Sequence, residues 1–152
     1  MAAEVYRAIV GDLATPSVEN AVPRVHSSRD VLELVGREMA GYEQEHLRVL
    51  LLDTKNGVRR AFDLYVGTVS GTTVRVAELF REAVRDNAPQ LIVAHNHPSG
   101  DTTPSPEDVR LTRVLVEVGQ LLDIDVLDHL VIGGTPAHPA FLSLRAHKLG
   151  FS

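Results

Sequence analysis

The stretch that decides the fold runs from residue 91 to residue 108 and reads LIVAHNHPSGDTTPSPED. Its first four residues are apolar, which predicts a short strand near the centre of a sheet. A polar loop follows over residues 96–104, and the serine, proline and two acids at 105–108 are typical of a helix start. The stretch therefore predicts a strand, a loop and a helix, with His95 and His97 where the strand ends.

Apolar patterns on both sides of this stretch predict an α/β domain with a mixed β-sheet and flanking helices. Amphipathic spacing predicts helices, whereas short apolar runs bounded by turn residues predict strands. The Asn-Gly pair at 56–57 predicts a hairpin, and a hairpin beside helical crossovers requires a mixed sheet. The predicted elements are a strand at 5–10, a helix between 28 and 41, strands at 47–52 and 58–66, helices at 76–87 and 106–122, a strand at 126–132, and a short strand or helix within 140–152.

The composition is that of one folded domain. The chain has 152 residues, of which 44% are hydrophobic and 23% charged, and a domain of this length forms a core without disulfides. No run approaches the roughly 18 consecutive apolar residues that a membrane span needs, and the first residues do not resemble a signal peptide. Cysteine is absent, which fits a reducing compartment. We therefore expect a cytoplasmic protein without a membrane partner, with an N-terminal strand and arm over 1–28 and one domain over 29–152.

The charge balance gives little support to a nucleic-acid partner. Fifteen lysine and arginine residues stand against twenty acidic residues, so that the formal net charge is −5. A protein that binds DNA strongly usually carries a basic surface, which this total does not indicate. Tryptophan is absent and aromatic residues make up only 5%, which leaves few side chains on which bases can stack. Nucleic acid stays a weakly supported partner, and the sequence indicates no particular oligomeric state.

Two histidines and an aspartate have the spacing of a metal site. Imidazole is the commonest protein ligand of zinc, and His95 and His97 can turn toward one point at a strand end. Asp108 can supply an oxygen ligand after the loop folds back. Three protein ligands with one open position are typical of a catalytic zinc site. Taken alone, however, Ser105 and Asp108 are explained more simply as a helix cap, and the two explanations are compatible.

The combination resembles the signature of the JAMM metalloprotease superfamily, also named MPN or JAB. That signature is His-x-His, seven residues, Ser, two residues, Asp, and this sequence is similar to it at His95, His97, Ser105 and Asp108. Over roughly residues 29–150 the chain also resembles the RadC branch of that superfamily. The similar short sequences are 51–56, 87–88, 95–100 and 128–133. The resemblance implies a single cytidine-deaminase-like α/β domain, with one zinc ion per chain bound by His95, His97 and Asp108.

The resemblance also implies a hydrolase that cleaves a peptide or isopeptide bond in a protein or peptide substrate. In such domains a glutamate that is not a metal ligand lies on or just before an earlier strand, holds the attacking water and acts as general base. Glu45 has that position ahead of the predicted strand at 47–52, and Glu43 is the alternative. Ser105 would donate a hydrogen bond to the developing oxyanion.

Two departures from the RadC pattern leave other functions open. RadC-like chains tend to have Pro-Arg-Glu ahead of the first core helix, where this chain has Val76-Ala77-Glu78 and so lacks an arginine for substrate contact. About 28 residues precede the first predicted helix, too few for the helical, DNA-binding-like region of longer relatives. The alternatives are a DNA repair-associated factor or metal-dependent nuclease, and a non-catalytic MPN interaction module. The three retained metal ligands and Ser105 argue against the interaction module.

The remaining histidines carry weaker expectations. His129 follows Asp128 in a predicted strand and either contacts the site through a metal ligand or packs as an ordinary strand residue. Asp101 comes directly after Gly100, where an acid is usually a turn residue. The histidines without ligand spacing, which we expect at the surface, are His26, His46, His138 and His147.

Overall fold

A five-stranded mixed sheet organises the computed structural model, which describes residues 22–67 and 74–151. The strands lie in the order β2-β1-β3-β4-β5, and only β3 and β4 are parallel neighbours. The mixed sheet expected from the sequence is confirmed, whereas the strand predicted at 5–10 lies outside the described residues. The strand bounds are β1 Glu45–Leu52, β2 Val58–Gly67, β3 Gln90–Asn96, β4 Asp125–Gly134 and β5 Pro139–Ser143.

Within the described residues, three helices cover the two faces of the sheet. Helix α1 has a first turn at Ser28–Val31, a π-helical segment at Leu32–Gly36 and a last turn at Arg37–Met39. Helix α2 is Val76–Arg85 and helix α3 is Pro106–Leu122. Helix α1 packs on one face, and α2 and α3 pack on the other. All three helices are predicted by the sequence, but its periodicity does not reveal the π-helical segment. None of the helices in the described ranges combines the length and apolar content of a bilayer-crossing helix.

Strand β3 lies in the middle of the sheet and is apolar on both faces. Its residues alternate between the two cores, with Val93 facing α2 and α3 and Ala94 facing α1. A strand buried in this way has a continuous apolar sequence, which is why the run at 91–94 predicts it. His95 lies two residues after Val93, so its side chain is on the face that α2 and α3 cover. The fold therefore places His95 at the end of the central strand, on the face that helices cover.

The hairpin that the Asn-Gly pair predicts is present, and residues 53–57 connect its strands β1 and β2. Asn56 adopts a left-handed backbone conformation, with φ of 63°, which asparagine tolerates better than most residues. The carboxylate of Asp53 accepts hydrogen bonds from the backbone N–H groups of Lys55 and Gly57, each at 2.8 Å. The turn fixes the register in which β1 and β2 pair, and β1 is the strand that begins at Glu45.

A buried ion-pair network lies on the α1 face of the sheet. Arg48 is fully buried, and its guanidinium donates to Asp63, with Nε 2.7 Å from Oδ1, and to Glu38, with Nη1 3.0 Å from Oε2. A third hydrogen bond runs from Nη2 to the hydroxyl of Tyr42 at 3.1 Å. Nδ1 of His46 lies 2.8 Å from the same Asp63 carboxylate. The expectation that His46 is a surface residue is therefore wrong, because only 14% of its side chain is exposed.

Replacing Arg48 with methionine should strongly destabilise the fold. The substitution leaves the Asp63 carboxylate, whose side chain is 1% exposed, without its guanidinium. Breaking a buried pair in this way typically lowers the free energy of unfolding by about 3–5 kcal/mol. Urea denaturation followed by circular dichroism measures the change. Arg85→Met, at an exposed arginine, is the control and should change the free energy by less than about 0.5 kcal/mol. Equal effects of both substitutions would contradict the structural importance of the network.

Candidate metal centre

The end of β3 and the start of α3 bring the three predicted metal ligands together. His95 belongs to β3, His97 follows its last residue, and Asp108 lies in the first turn of α3. The Nε2 atoms of the two histidines are 3.0 Å apart. Oδ2 of Asp108 lies 3.2 Å from Nε2 of His95 and 3.4 Å from Nε2 of His97. This group can hold a metal ion.

The helix cap predicted at Ser105 is present, and it also orients Asp108. Oγ of Ser105 accepts a hydrogen bond from the backbone N–H of Asp108 at 3.1 Å. In return, Oδ2 of Asp108 accepts from the backbone N–H of Ser105 at 2.8 Å. This capping box fixes the carboxylate at the helix start, where the same oxygen faces the two histidines. Cap and candidate metal ligand thus coexist in one geometry.

The donor set fits a divalent metal. Two neutral imidazole nitrogens and a carboxylate oxygen at these distances present lone pairs to one another, which is unfavourable unless a cation or shared protons lie between them. Two nitrogens and one oxygen are a set that zinc accepts. His95 and Asp108 are buried, whereas 16% of the His97 side chain is exposed, so the centre opens to solvent beside His97. Three ligands and an open side are the arrangement of a site that admits a further molecule.

The electrostatic environment of the centre favours an ionised Asp108 and a protonated His97. Burial acts to raise the pKa of the Asp108 carboxyl, but hydrogen bonds from Nε2 of His95 and His97, which exist when those rings carry a second proton, outweigh burial and hold that pKa well below its ordinary value. The hydrogen bond with Asp108 raises the pKa of His97 above its ordinary 6.5, and the negative charge of Glu45 acts in the same direction. Asp108 is therefore ionised at neutral pH, as a ligand must be. Metal and proton compete for Nε2 of His97.

Glu45 lies beside the centre without joining the group of candidate metal ligands. It is the first residue of β1, so the strand begins two residues earlier than the sequence predicts. Leu47 pairs with His95 across the sheet, and side chains two residues apart share a face, which places Glu45 on the face of the histidines. Its charge acts on the pKa of His97. Glu43 lies before the strand and is exposed, so the structure favours Glu45 as the acid next to the centre.

Sequence reasoning missed the part played by Asn96, which ties the start of β1 to the end of β3. Asn96 is buried. Oδ1 accepts a hydrogen bond from the backbone N–H of His46 at 2.7 Å, and Nδ2 donates to the backbone carbonyl of Gln44 at 3.0 Å. These two backbone groups flank Glu45. Asn96 therefore fixes the backbone of Glu45 relative to His95 and His97, its two neighbours in the chain.

The outer nitrogens of both histidines are also held. Nδ1 of His97 lies 2.8 Å from the backbone carbonyl of Asp101, which can only accept, so this nitrogen carries a proton, and in the neutral ring Nε2 keeps its lone pair. The carboxylate of Asp101 accepts from Thr103 as an ordinary turn residue does, and the contact of its carbonyl with His97 was not predicted. Nδ1 of His95 lies 2.7 Å from Nε2 of His129.

His129 contacts the centre, which is the first of the two roles that the sequence left open for it. It is fully buried in β4, and burial lowers its pKa to about 3, so its ring is neutral at physiological pH. The other histidines show no such contact. His26, His138 and His147 are exposed, as expected.

Fold and centre together define an α/β domain with a candidate His-x-His and Asp metal site where a central strand ends. The chain belongs to the RadC-like JAB domain family, whose model matches residues 25–149. This confirms both the RadC-like JAMM resemblance and the α/β fold class that it implies. The matched residues include His95, His97 and Asp108.

Similar relatives are UPF0758 proteins of several bacteria. The protein of Chloroflexus aggregans is 50% identical over 139 residues, that of Roseiflexus castenholzii 49% over 128, and that of Clostridium botulinum 44% over 110. These alignments cover 91%, 84% and 72% of this chain, but only 58%, 53% and 48% of the relatives. The chain thus spans about half the length of the relatives it matches.

Replacing Asn96 with alanine should loosen the start of β1. The substitution removes both hydrogen bonds that hold the backbone beside Glu45, and leaving a buried partner unsatisfied costs about 1–3 kcal/mol. We expect the amide of His46 to exchange about tenfold to a hundredfold faster with solvent, measured by native-state hydrogen exchange on the metal-free protein. The amide of Leu50, in the middle of β1, is the internal control and should keep its protection. Unchanged exchange at His46 would show that Asn96 does not hold this strand end.

Proposed function

We propose that this domain is a zinc-dependent hydrolase of the JAMM type that cleaves a peptide or isopeptide bond, with His95, His97 and Asp108 as the zinc ligands. One observation carries the proposal: two imidazole nitrogens and a carboxylate oxygen lie within 3.4 Å of one another at a site open on one side. Zinc bound there would polarise the substrate carbonyl and lower the pKa of water toward about 7.

The choice of zinc rests on the donor atoms. Two imidazole nitrogens and one carboxylate oxygen suit zinc, whereas magnesium and calcium prefer sites made of oxygen atoms alone. The chain has no cysteine, so thiolates do not compete for the metal. Membership of the RadC-like JAB domain family agrees with a hydrolytic metal centre. We expect one zinc ion per chain.

Glu45 is the residue that we assign as general base. It takes a proton from the attacking water and delivers it to the leaving amine. A general base must lie within hydrogen-bond reach of the reacting water without occupying the open position itself. Two observations support Glu45 in this role: it lies on the histidine face at the start of β1, and it remains outside the group of three candidate metal ligands.

Ser105 is the residue that we assign to the developing oxyanion. Its hydroxyl oxygen accepts a hydrogen bond from the backbone N–H of Asp108, which holds the side chain at the edge of the centre. Accepting uses one lone pair and leaves the hydroxyl proton to be donated. A donor that is already oriented stabilises the charge that develops on a carbonyl oxygen during hydrolysis. The expected substrate is a protein or a peptide.

The first test is metal content and its dependence on pH. Purified without a metal-affinity column, the wild type should hold about one zinc ion per chain by elemental analysis, and His95→Ala/His97→Ala should hold none. Affinity for zinc should fall as the pH drops through the pKa of His97, because a proton then occupies the nitrogen that binds the metal. Since the pKa of His97 is raised above 6.5, this fall should begin at a higher pH than for an ordinary histidine ligand. A chelator competition series at several pH values measures this dependence.

His147→Ala is the matched control for this test, since His147 is exposed and lies on the turn after β5. It should keep wild-type zinc content. Full zinc content in the double variant would contradict the ligand assignment.

The second test separates metal binding from hydrolysis. Glu45→Gln keeps the size of the side chain but removes the base, so hydrolysis should slow by about 10²–10⁴-fold while zinc content stays at the wild-type level. The assay uses zinc-loaded protein and a panel of peptide-linked and isopeptide-linked conjugates. Glu43→Gln, two residues away and exposed, is the control and should remain active.

Three results would overturn parts of the proposal. Loss of activity in Glu43→Gln alone would move the base to Glu43. Loss of zinc in Glu45→Gln would make Glu45 a fourth ligand. Cleavage of DNA, with no cleavage of any conjugate by the wild type, would favour the nuclease alternative.

A further inference from the structure

Behind His95, a chain of hydrogen bonds leads back to Asp108. Nδ1 of His95 lies 2.7 Å from Nε2 of His129, and Nδ1 of His129 lies 2.6 Å from Oγ1 of Thr112. Oγ1 of Thr112 donates to the backbone carbonyl of Asp108 at 2.7 Å, across one turn of α3. His129 and Thr112 are both fully buried. The chain begins at one candidate metal ligand and ends on the backbone of another.

The last member of the chain determines the direction of every hydrogen bond in it. A carbonyl oxygen only accepts, so Thr112 donates its single hydroxyl proton to Asp108. The hydroxyl must then accept from Nδ1 of His129, which therefore carries that ring's proton. A buried imidazole is neutral, so Nε2 of His129 is a lone pair and accepts from Nδ1 of His95. The neutral ring of His95, with its proton on Nδ1, is then left with its lone pair on Nε2, the atom that faces the centre.

We propose that His129 and Thr112 are positioning residues that select the tautomer of His95 with its lone pair on Nε2, and so keep the centre ready to bind zinc. If the hydrogen bonds between Thr112, His129 and His95 ran in the opposite direction, the proton of His95 would be on Nε2, where it would block metal binding. The partner of a metal-binding histidine is usually a carboxylate, a carbonyl or water, and here it is a second histidine fixed by a threonine.

The zinc part of this inference rests on the proposed function, whereas the tautomer is a property of the metal-free protein. The two can therefore fail separately. Groups that orient metal-binding histidines typically change metal affinity about 10–100-fold when they are removed.

Two substitutions of Thr112 separate tautomer selection from packing. The methyl group is tightly packed, because a Cβ on Gly150 would lie 2.9 Å from Cγ2 of Thr112. Thr112→Val keeps the methyl group and loses the hydroxyl, whereas Thr112→Ser keeps the hydroxyl and loses the methyl group. A residue that only fills space would tolerate valine better than serine. A residue that selects the tautomer would tolerate serine better than valine.

The first measurement is zinc affinity by competition with a chromophoric chelator. We expect Thr112→Val to bind zinc about 10–100-fold more weakly than the wild type, and Thr112→Ser to remain within a few-fold of it. Circular dichroism confirms that both variants are folded before the comparison. The reverse order of the two affinities, or equal affinities, would overturn the proposal.

The second measurement needs no variant, so it decides the proposal even if Thr112→Val fails to fold. Long-range nitrogen–proton NMR correlations on the metal-free wild type at about pH 8.5, above the ordinary histidine range, identify which ring nitrogen carries the proton. We expect Nδ1 to be protonated in both His95 and His129. A proton on Nε2 of His95 would overturn the proposal. The expected tautomer in a wild type without zinc affinity would support tautomer selection and contradict the proposed function.

Discussion

Hydrogen bonds on both sides of β3 are the constraint on which the rest of the structure depends. Strand β3 pairs with β1 on one side and with β4 on the other. The pairing continues past the last strand residue, because the backbone N–H of His97 still bonds to the carbonyl of Ile132 at 2.9 Å. His95 therefore sits on backbone that is held from both sides, and His97 on backbone that is held by β4. The neighbouring strands bring Glu45 and His129 to the same place without help from any loop.

Two groups of buried polar side chains lie near this end of the sheet and are satisfied there. Among the described residues, no buried side-chain nitrogen or oxygen lacks a hydrogen-bond partner. On the α1 face the groups form the ion-pair network around Arg48, and on the α3 face they form the chain from His95 to Thr112. Because an unpaired polar group in a core is unfavourable, each arrangement favours a single set of side-chain positions. A centre with defined geometry follows from that requirement.

The sequence predicts the elements and the three candidate ligands because both depend on local patterns. The apolar run at 91–94 predicts the strand that carries His95, and the serine at position 105 predicts the helix start that carries Asp108. Contacts between distant segments leave no such pattern. The pairing of His46 with Asp63 depends on the register of two strands, and the contacts of Asn96 with backbone about fifty residues earlier depend on the whole sheet. The roles of these residues emerge only from the fold.

The capping box at the start of α3 has a consequence for how this centre can change over evolutionary time. Ser105 and Asp108 each hold the other's backbone, so replacing either one moves its partner as well. Effects at positions coupled in this way do not add. A lineage that lost the serine would also begin to lose the alignment of the carboxylate, even with the aspartate still encoded. The pair is best understood as one inherited unit, in which the cap of α3 and the alignment of a candidate metal ligand are lost together.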